Sequence, residues 1–268
     1  MDRALSRALT QVAPGVWVAT AGTWRTTTTL VVADDGACLL VDPALSPQEL
    51  DALAEEIAAR GWRVRAAVAT HAHWDHVLWT PRFGDVPRWA SGRTVERVGA
   101  THDALVAQAE AEHAGHGAAV TSGLRALPGD RVPWEGPAVL AAEHDAHAPG
   151  HLALVVPAAG VLLAGDMLSD TEVPLLDLDA ADTVGAYRDG LATLARVRAE
   201  NGVQVLVPGH GSVASGEAID LRIATDRGYL DALASGAGRV PGGGPTDPRL
   251  TDPWLARQHA EQVAALRR

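Results

Sequence analysis

Within the six residues His71-Ala72-His73-Trp74-Asp75-His76 the chain carries three imidazoles and a carboxylate. Neutral imidazole nitrogen and carboxylate oxygen are the donors that a borderline divalent cation such as zinc takes. Metal chemistry is therefore the first reading. Four donors this close can serve two adjacent ions, yet so short a turn cannot enclose them, so further His or Asp ligands must come from distant loops. Three places offer them, each beside an apolar run: Pro149-Gly150-His151 before residues 152–156, Gly165-Asp166 after residues 161–164, and Pro208-Gly209-His210-Gly211 after residues 203–207. A glycine adjoins each candidate, and glycine lets the backbone turn sharply and brings the next side chain close to a central ion.

The elements around these residues read as a mixture of strands and helices. Residues 16–19, 27–33 and 38–41 are rich in Val, Thr and Leu and are split by Gly22 and Asp34-Asp35-Gly36, the pattern of antiparallel strands with tight turns. Ser46-Pro47 opens a helix that runs to Arg60 and stops at Gly61, with Ser46 as N-cap. A strand over residues 63–70 then delivers the histidine cluster at its carboxyl end, where open α/β sheets place ligands. Residues 86–90 form a further strand, Ser91 caps a helix over 94–113, and residues 138–142, 152–156 and 161–164 form a second sheet layer. Helices follow over 182–199 and 217–234, flanking a buried strand over 203–207. Residues 235–253 read as a Gly/Pro-rich linker and 254–268 as a final short helix.

A chain of 268 residues, 47% hydrophobic and 21% charged, is long enough to bury a large core and reads as one domain. The formal charge of −11 repels phosphate backbones, so nucleic acid is not an expected partner. All 22 basic residues are arginine, which reads as coding bias in a GC-rich genome. The single Cys38 allows no disulfide within the chain and reads as a buried thiol. Residues 1–18 lack the continuous apolar core of a signal peptide, and no apolar run reaches the length of a membrane span. The expectation is a cytoplasmic protein with no membrane partner; composition leaves homodimerisation open.

Taken together, the hexapeptide, His151, Asp166 and His210 resemble the metallo-β-lactamase-fold hydrolases in motif type, order and spacing, from about residue 16 to residue 211. Asp42, in Leu39-Leu40-Val41-Asp42-Pro43, matches the Asp that the family usually places near its site after an early strand. The resemblance implies an α/β fold, a four-layer αβ/βα sandwich of two mixed β-sheets with helices outside. Residues 1–234 would be the catalytic domain, and 235–268 a linker and helix belonging to it. It implies that His71, His73 and His151 hold one metal, that Asp75, His76 and His210 hold a second, and that Asp166 bridges them. Five imidazoles against two carboxylates suit zinc, while iron and manganese remain alternatives. The implied activity is that of a dinuclear metal-dependent hydrolase. A hydroxide shared between the ions would cleave a small-molecule ester, thioester, lactone or amide, with Asp75 as the catalytic group that orients it and shuttles its proton.

The resemblance is to the subset containing glyoxalase II-like thioesterases, lactonases and phosphodiesterases, rather than to true β-lactamases, which generally lack the bridging Asp. Lactonases of this family that act on acyl-homoserine lactones usually have Tyr where Ser169 stands. Glutathione thioesterases use basic residues in a C-terminal helical region, where this chain has only scattered arginines. An iron-dependent oxidoreductase of persulfide dioxygenase type, a phosphodiesterase and a non-catalytic binding member are the alternatives. His144 and His147 read either as hydrogen-bond partners of a ligand or as solvated histidines, and His102, His113, His116 and His259 as residues outside the site. Trp74 and Trp79 read as a substrate wall or as core, with Arg82 and Phe83 on the rim, and residues 101–123 and 235–253 as candidate covers.

Overall fold

A computed structural model describes residues 8–117, 121–235 and 247–267. The first half builds a seven-stranded sheet in chain order: β1 (Thr10–Ala13), β2 (Val16–Thr20), β3 (Thr27–Val32), β4 (Ala37–Val41), β5 (Arg63–Val68), β6 (Arg88–Ala90) and β7 (Leu124–Ala126). Strands β1 to β4 are antiparallel neighbours and β4 to β7 run parallel. Helix α1 (Pro47–Ala59) crosses from β4 to β5, and α2 (Gly92–Glu112) from β6 to β7. The second half forms a five-stranded sheet from β8 (Leu140–His144), β9 (His151–Val156), β10 (Val161–Leu163), β11 (Val205–Val207) and β12 (Ala214–Ser215). Only β10 and β11 are parallel there, joined through α3 (Thr183–Glu200); α4 (Glu217–Ala234) and α5 (Pro253–Ala265) complete the chain.

Strand alternation sorts the apolar side chains into layers. In β4, Leu39 and Val41 face β9 residues Leu152, Leu154 and Val156 between the sheets, while Cys38 and Leu40 face Leu50, Leu53 and Ile57 of α1. In β9, Ala153 and Val155 point the other way, toward Leu191 and Leu194 of α3. Period-two burial on both faces is what a sheet sandwiched between layers requires, and the four-layer architecture follows. Burial pushes the Cys38 thiol up to about 12, which leaves it an inert core group.

Local chemistry agrees with these elements. Ser46 accepts from Glu49 N at 3.2 Å and the Glu49 carboxylate accepts from Ser46 N at 3.0 Å, a capping box that starts α1. The edge strands β1 and β12 were not expected: β12 has two residues and β1 mixed exposure, too little for a periodic signal. Of the expected linker, residues 236–246 lie outside the described residues, and Pro248–Thr251 forms a short 3-10 turn. Helix α5 packs Leu255 and Val263 into the core of the second sheet. Among the described residues no helix is long and apolar enough to cross a membrane.

The sheets meet at the edge where β4, β5, β10 and β11 end. Leu152 N donates to Thr70 O at 2.9 Å, and Thr27 N donates to Gly209 O at 2.7 Å. These cross-sheet bonds bring the turns that carry the candidate ligands together.

Candidate metal centre

Six of the seven expected ligands converge, in two groups. In the first, His73 Nδ1 stands 3.0 Å from His71 Nε2 and 2.9 Å from His147 Nε2, while Asp166 Oδ2 lies 3.3 Å from His71 Nε2 and 3.4 Å from His147 Nε2. In the second, His210 Nε2 lies 3.3 Å from His76 Nε2 and 3.2 Å from Asp75 Oδ2, and His76 Nε2 lies 3.4 Å from Asp75 Oδ2. Asp166 also faces this second group, with Oδ1 3.0 Å from His76 Nε2 and Oδ2 3.3 Å from His210 Nε2. Ligand atoms about 2.0–2.1 Å from a tetrahedral ion stand roughly 3.3–3.4 Å from one another, so both groups have nearly the edge lengths of a coordination shell.

The protons of four rings are committed outward. His147 Nδ1 lies 2.8 Å from Leu175 O and His210 Nδ1 3.1 Å from Trp24 O; a carbonyl only accepts, so both Nδ1 atoms carry the proton. His76 Nδ1 is 3.0 Å from Asp42 Oδ2. His71 Nδ1 is 3.0 Å from Thr70 Oγ1, whose own hydroxyl donates to Asp42 Oδ2 at 2.6 Å, so the ring is again the donor. Four Nε2 atoms therefore turn inward, toward one another and toward the carboxylates. A cation among them would take these nitrogens as ligands once they are unprotonated. Asp166 Oδ1 is buried and makes no well-formed hydrogen bond although the His76 ring faces it, so it keeps acceptor capacity for a cation. The residues fit a divalent metal pair in donor type, spacing and tautomer.

His151 is the exception. Its Nε2 accepts the backbone N–H of Asp166 at 3.2 Å, which uses that lone pair and places the proton on Nδ1, 3.1 Å from His144 Nε2. No lone pair is left for a metal. Far from lying in a turn, His151 is the first residue of β9, paired with His144 across the hairpin. The imidazole that this segment contributes to the first group is His147, one turn earlier. The signal was present in His144-Asp145-Ala146-His147-Ala148-Pro149-Gly150-His151: the strand absorbs the last histidine, while the loop before it presents His147. Gly165 and Gly209 serve close packing here. A Cβ at Gly165 would overlap the His151 ring, and one at Gly209 would overlap Asp166 Oδ1.

Charge in the centre is divided unevenly. Burial is the main force that drives His71 well below the usual histidine range and, with His147 adjacent, takes His73 down to about 3. Burial opposes protonation of His76 and His210 too, but the carboxylates around them prevail, Asp166 foremost, and raise both well above the usual range. Asp75 and Asp166 are held well below the usual carboxylate range, as the adjoining imidazoles outweigh burial. The carboxylates thus gather positive charge at the second group. Glu172, which no motif in the sequence singles out, lies with Oε1 3.7 Å from His210 Nδ1 and is pushed up to about 7 by burial.

Asp42 sits under both groups. Its Oδ1 accepts from Thr70 N at 2.8 Å, and its Oδ2 serves Thr70 Oγ1 and His76 Nδ1. It adopts the left-handed backbone region, φ 48°, a conformation that Asp tolerates better than most residues and that recurs at functional sites.

The other expected residues are placed as follows. Trp74 is buried in the first-sheet core, edge-on to Trp24 at 5.7 Å and 6.5 and 6.4 Å from the rings of His113 and His116. Trp79 packs on Phe83 at 5.0 Å and under the Arg88 guanidinium at 4.7 Å. Phe83 is core, and Arg82 pairs with Asp51 and Glu55 of α1, so neither forms the rim expected of them. Of the candidate cover, residues 101–112 belong to α2, residues 113–117 form the loop beside Trp74, and 118–120 lie outside the described residues. His259 bonds Tyr229, and the His102 ring meets Thr121, so both stay outside the metal centre.

The model of the metallo-beta-lactamase superfamily matches residues 22–210, and the chain belongs to that superfamily. Among solved structures it is similar to a metallo-beta-lactamase family protein from Thermus thermophilus, 21% identical over 96% of this chain and 93% of that one, with a TM-score of 0.67. A beta-lactamase domain protein from Burkholderia ambifaria is 23% identical over 97% of this chain and 87% of that one, TM-score 0.67. A stereoselective inverting sec-alkylsulfatase from Pseudomonas sp. is 16% identical over 97% of this chain but 50% of that one, TM-score 0.70. No curated protein matches the sequence.

Proposed function

We propose that the chain is a dinuclear zinc-dependent hydrolase acting on a small-molecule ester, thioester, lactone or amide. His71, His73, His147 and Asp166 would hold one ion, and Asp75, His76 and His210, with Asp166 shared, the other. The observation that carries this reading is the convergence of four inward Nε2 atoms on one doubly facing carboxylate, Asp166. Five imidazoles and two carboxylates favour zinc over the harder cations. Bound there, two such ions would supply a nucleophile at neutral pH and Lewis-acid stabilisation of developing charge.

The protein's own part is orientation and proton handling. Asp42 and the Leu175 and Trp24 carbonyls hold the four rings with Nδ1 outward, so each Nε2 is already directed at the centre. Asp75, beside His76 and His210, would orient the attacking water and accept its proton.

Metal analysis of purified protein, before and after reloading with zinc, manganese or iron, tests the reading first. Two ions per chain are expected, and clearly less than one after every reloading would sink it. A panel of chromogenic esters, thioesters, lactones, amides, phosphodiesters and a cephalosporin then identifies the bond cleaved. Asp75→Ala is expected to abolish turnover more completely than it removes metal, because the first group survives it; equal loss of both would contradict the catalytic role.

A further inference from the structure

The loop that follows Asp166 is held from outside the metal centre. Its backbone carbonyls at Ser169 and Glu172 accept from Arg249 Nη1 at 3.2 and 2.8 Å, and Arg249 is itself fixed by Asp226 at 2.7 Å and Asp247 at 2.7 Å. Further along, Gln262 of α5 takes both neighbours of Leu175. Leu176 N donates to Gln262 Oε1 at 2.7 Å, and Gln262 Nε2 donates to Pro174 O at 3.1 Å. Since an amide N–H only donates and a carbonyl only accepts, these partners determine which end of the Gln262 amide is oxygen.

The Leu176 N–H and the Leu175 C=O belong to one planar peptide unit. Gln262 grips one end of that plane, and His147 Nδ1 donates to the other at 2.8 Å. A buried amide anchored at its N–H cannot rotate its carbonyl away from the ring, and donating that N–H also polarises the C=O as an acceptor. Gln262 is 3% exposed, and its Nε2 donates to Tyr229 Oη at 2.9 Å, so the anchor is itself braced from α4.

The geometry points to Gln262 as a positioning residue of the first metal group: through the Leu175–Leu176 peptide it sets the tautomer and direction of His147. This makes the C-terminal helix part of the metal centre although none of its residues faces a metal. The inference rests on the dinuclear reading for its consequence in metal binding, and on hydrogen bonding alone for its effect on His147.

Three full-length variants test it. Gln262→Leu removes both hydrogen bonds to the 174–176 segment and the one to Tyr229. Gln262→Glu, kept protonated by burial, retains an oxygen for Leu176 N–H and an O–H for Pro174 O. Val263→Ala weakens the packing of α5 without touching the peptide. Two zinc dissociation constants are measured by chelator competition, His147→Ala marking which of them belongs to the first group. The His147 tautomer is read from imidazole 15N shifts in the metal-free chain. In Gln262→Leu the first-group affinity should fall about tenfold or more, the second should hold, and the Nδ1-protonated signature should be lost. Gln262→Glu and Val263→Ala should retain both readouts. Wild-type affinity and tautomer in Gln262→Leu would overturn the inference, as would equal losses in all three variants. Should the wild-type chain bind less than one ion, the dinuclear reading fails, while the 15N shifts still decide the role of Gln262.

Discussion

The two halves of the molecule supply the candidate metal centre in different ways. The first sheet contributes four donors from one short turn after β5, and a single buried carboxylate, Asp42, orients a ring in each group: His76 directly and His71 through Thr70. The second half contributes three donors from three separate turns, at His147, Asp166 and His210. There a different backbone group fixes each ring, the Leu175 carbonyl for His147 and the Trp24 carbonyl for His210. The first half is concentrated, so one change reaches both groups; the second is distributed, so each change reaches one. Asp166 is the exception within its half, since it faces both groups.

Substitutions separate these cases. The largest effect is expected from Asp166→Ala, which takes away the shared carboxylate: metal content should fall below two per chain and kcat/KM by on the order of a thousandfold, several kcal/mol of charge stabilisation. An unchanged rate with two ions retained would refute the bridging role. Next comes the contrast between neighbours in one segment. His147→Ala should lose one ion per chain, whereas His151→Ala should keep two ions and instead lose about 2 kcal/mol of stability, because it removes the partner of the part-buried Asp166 N–H and empties a buried site. Metal analysis and denaturant titration of the pair decide it; loss of an ion in His151→Ala with retention in His147→Ala would reverse the assignment.

Asp42→Ala should weaken both ions, each by roughly tenfold to a hundredfold, since such outer partners commonly have that influence on affinity. If only one zinc constant moves, the concentrated character of the first half is wrong. The smallest effect is expected from Ser46→Ala, which removes the α1 cap and should cost about 1 kcal/mol in stability while leaving both zinc constants as they are. A change in either constant would show that α1 helps to hold the Asp42 turn.

Much of the centre is legible in the amino-acid sequence. The hexapeptide needs no tertiary information to signal a metal, because its donors are contiguous. The β4 and β5 runs and the Ser46 cap place it at a strand end by local rules of hydrophobic pattern and capping. Asp166 and His210 are legible for a related reason, each following an apolar strand through a glycine. The choice between His147 and His151 is not. Both lie in one polar segment, and what separates them is that the Asp166 backbone N–H consumes the His151 lone pair, a bond between residues brought together only when β9 and β10 pair. The same holds for the Trp74 alternatives of substrate wall or core, and for Phe83 and Arg82: nearness in sequence to the ligands does not decide that these side chains face the first-sheet core or α1.

The sequence by itself determined the donor chemistry, the strand-end position of the cluster and the two-layered run of apolar strands, because side-chain type and local periodicity are properties of short segments. Tertiary structure alone decided which histidine of the β8–β9 turn joins the first group, that Asp42 serves both groups, and that Gln262, some fifty residues beyond His210, braces His147. Each of these depends on where a lone pair or a carbonyl points, and that direction exists only once distant backbones have packed.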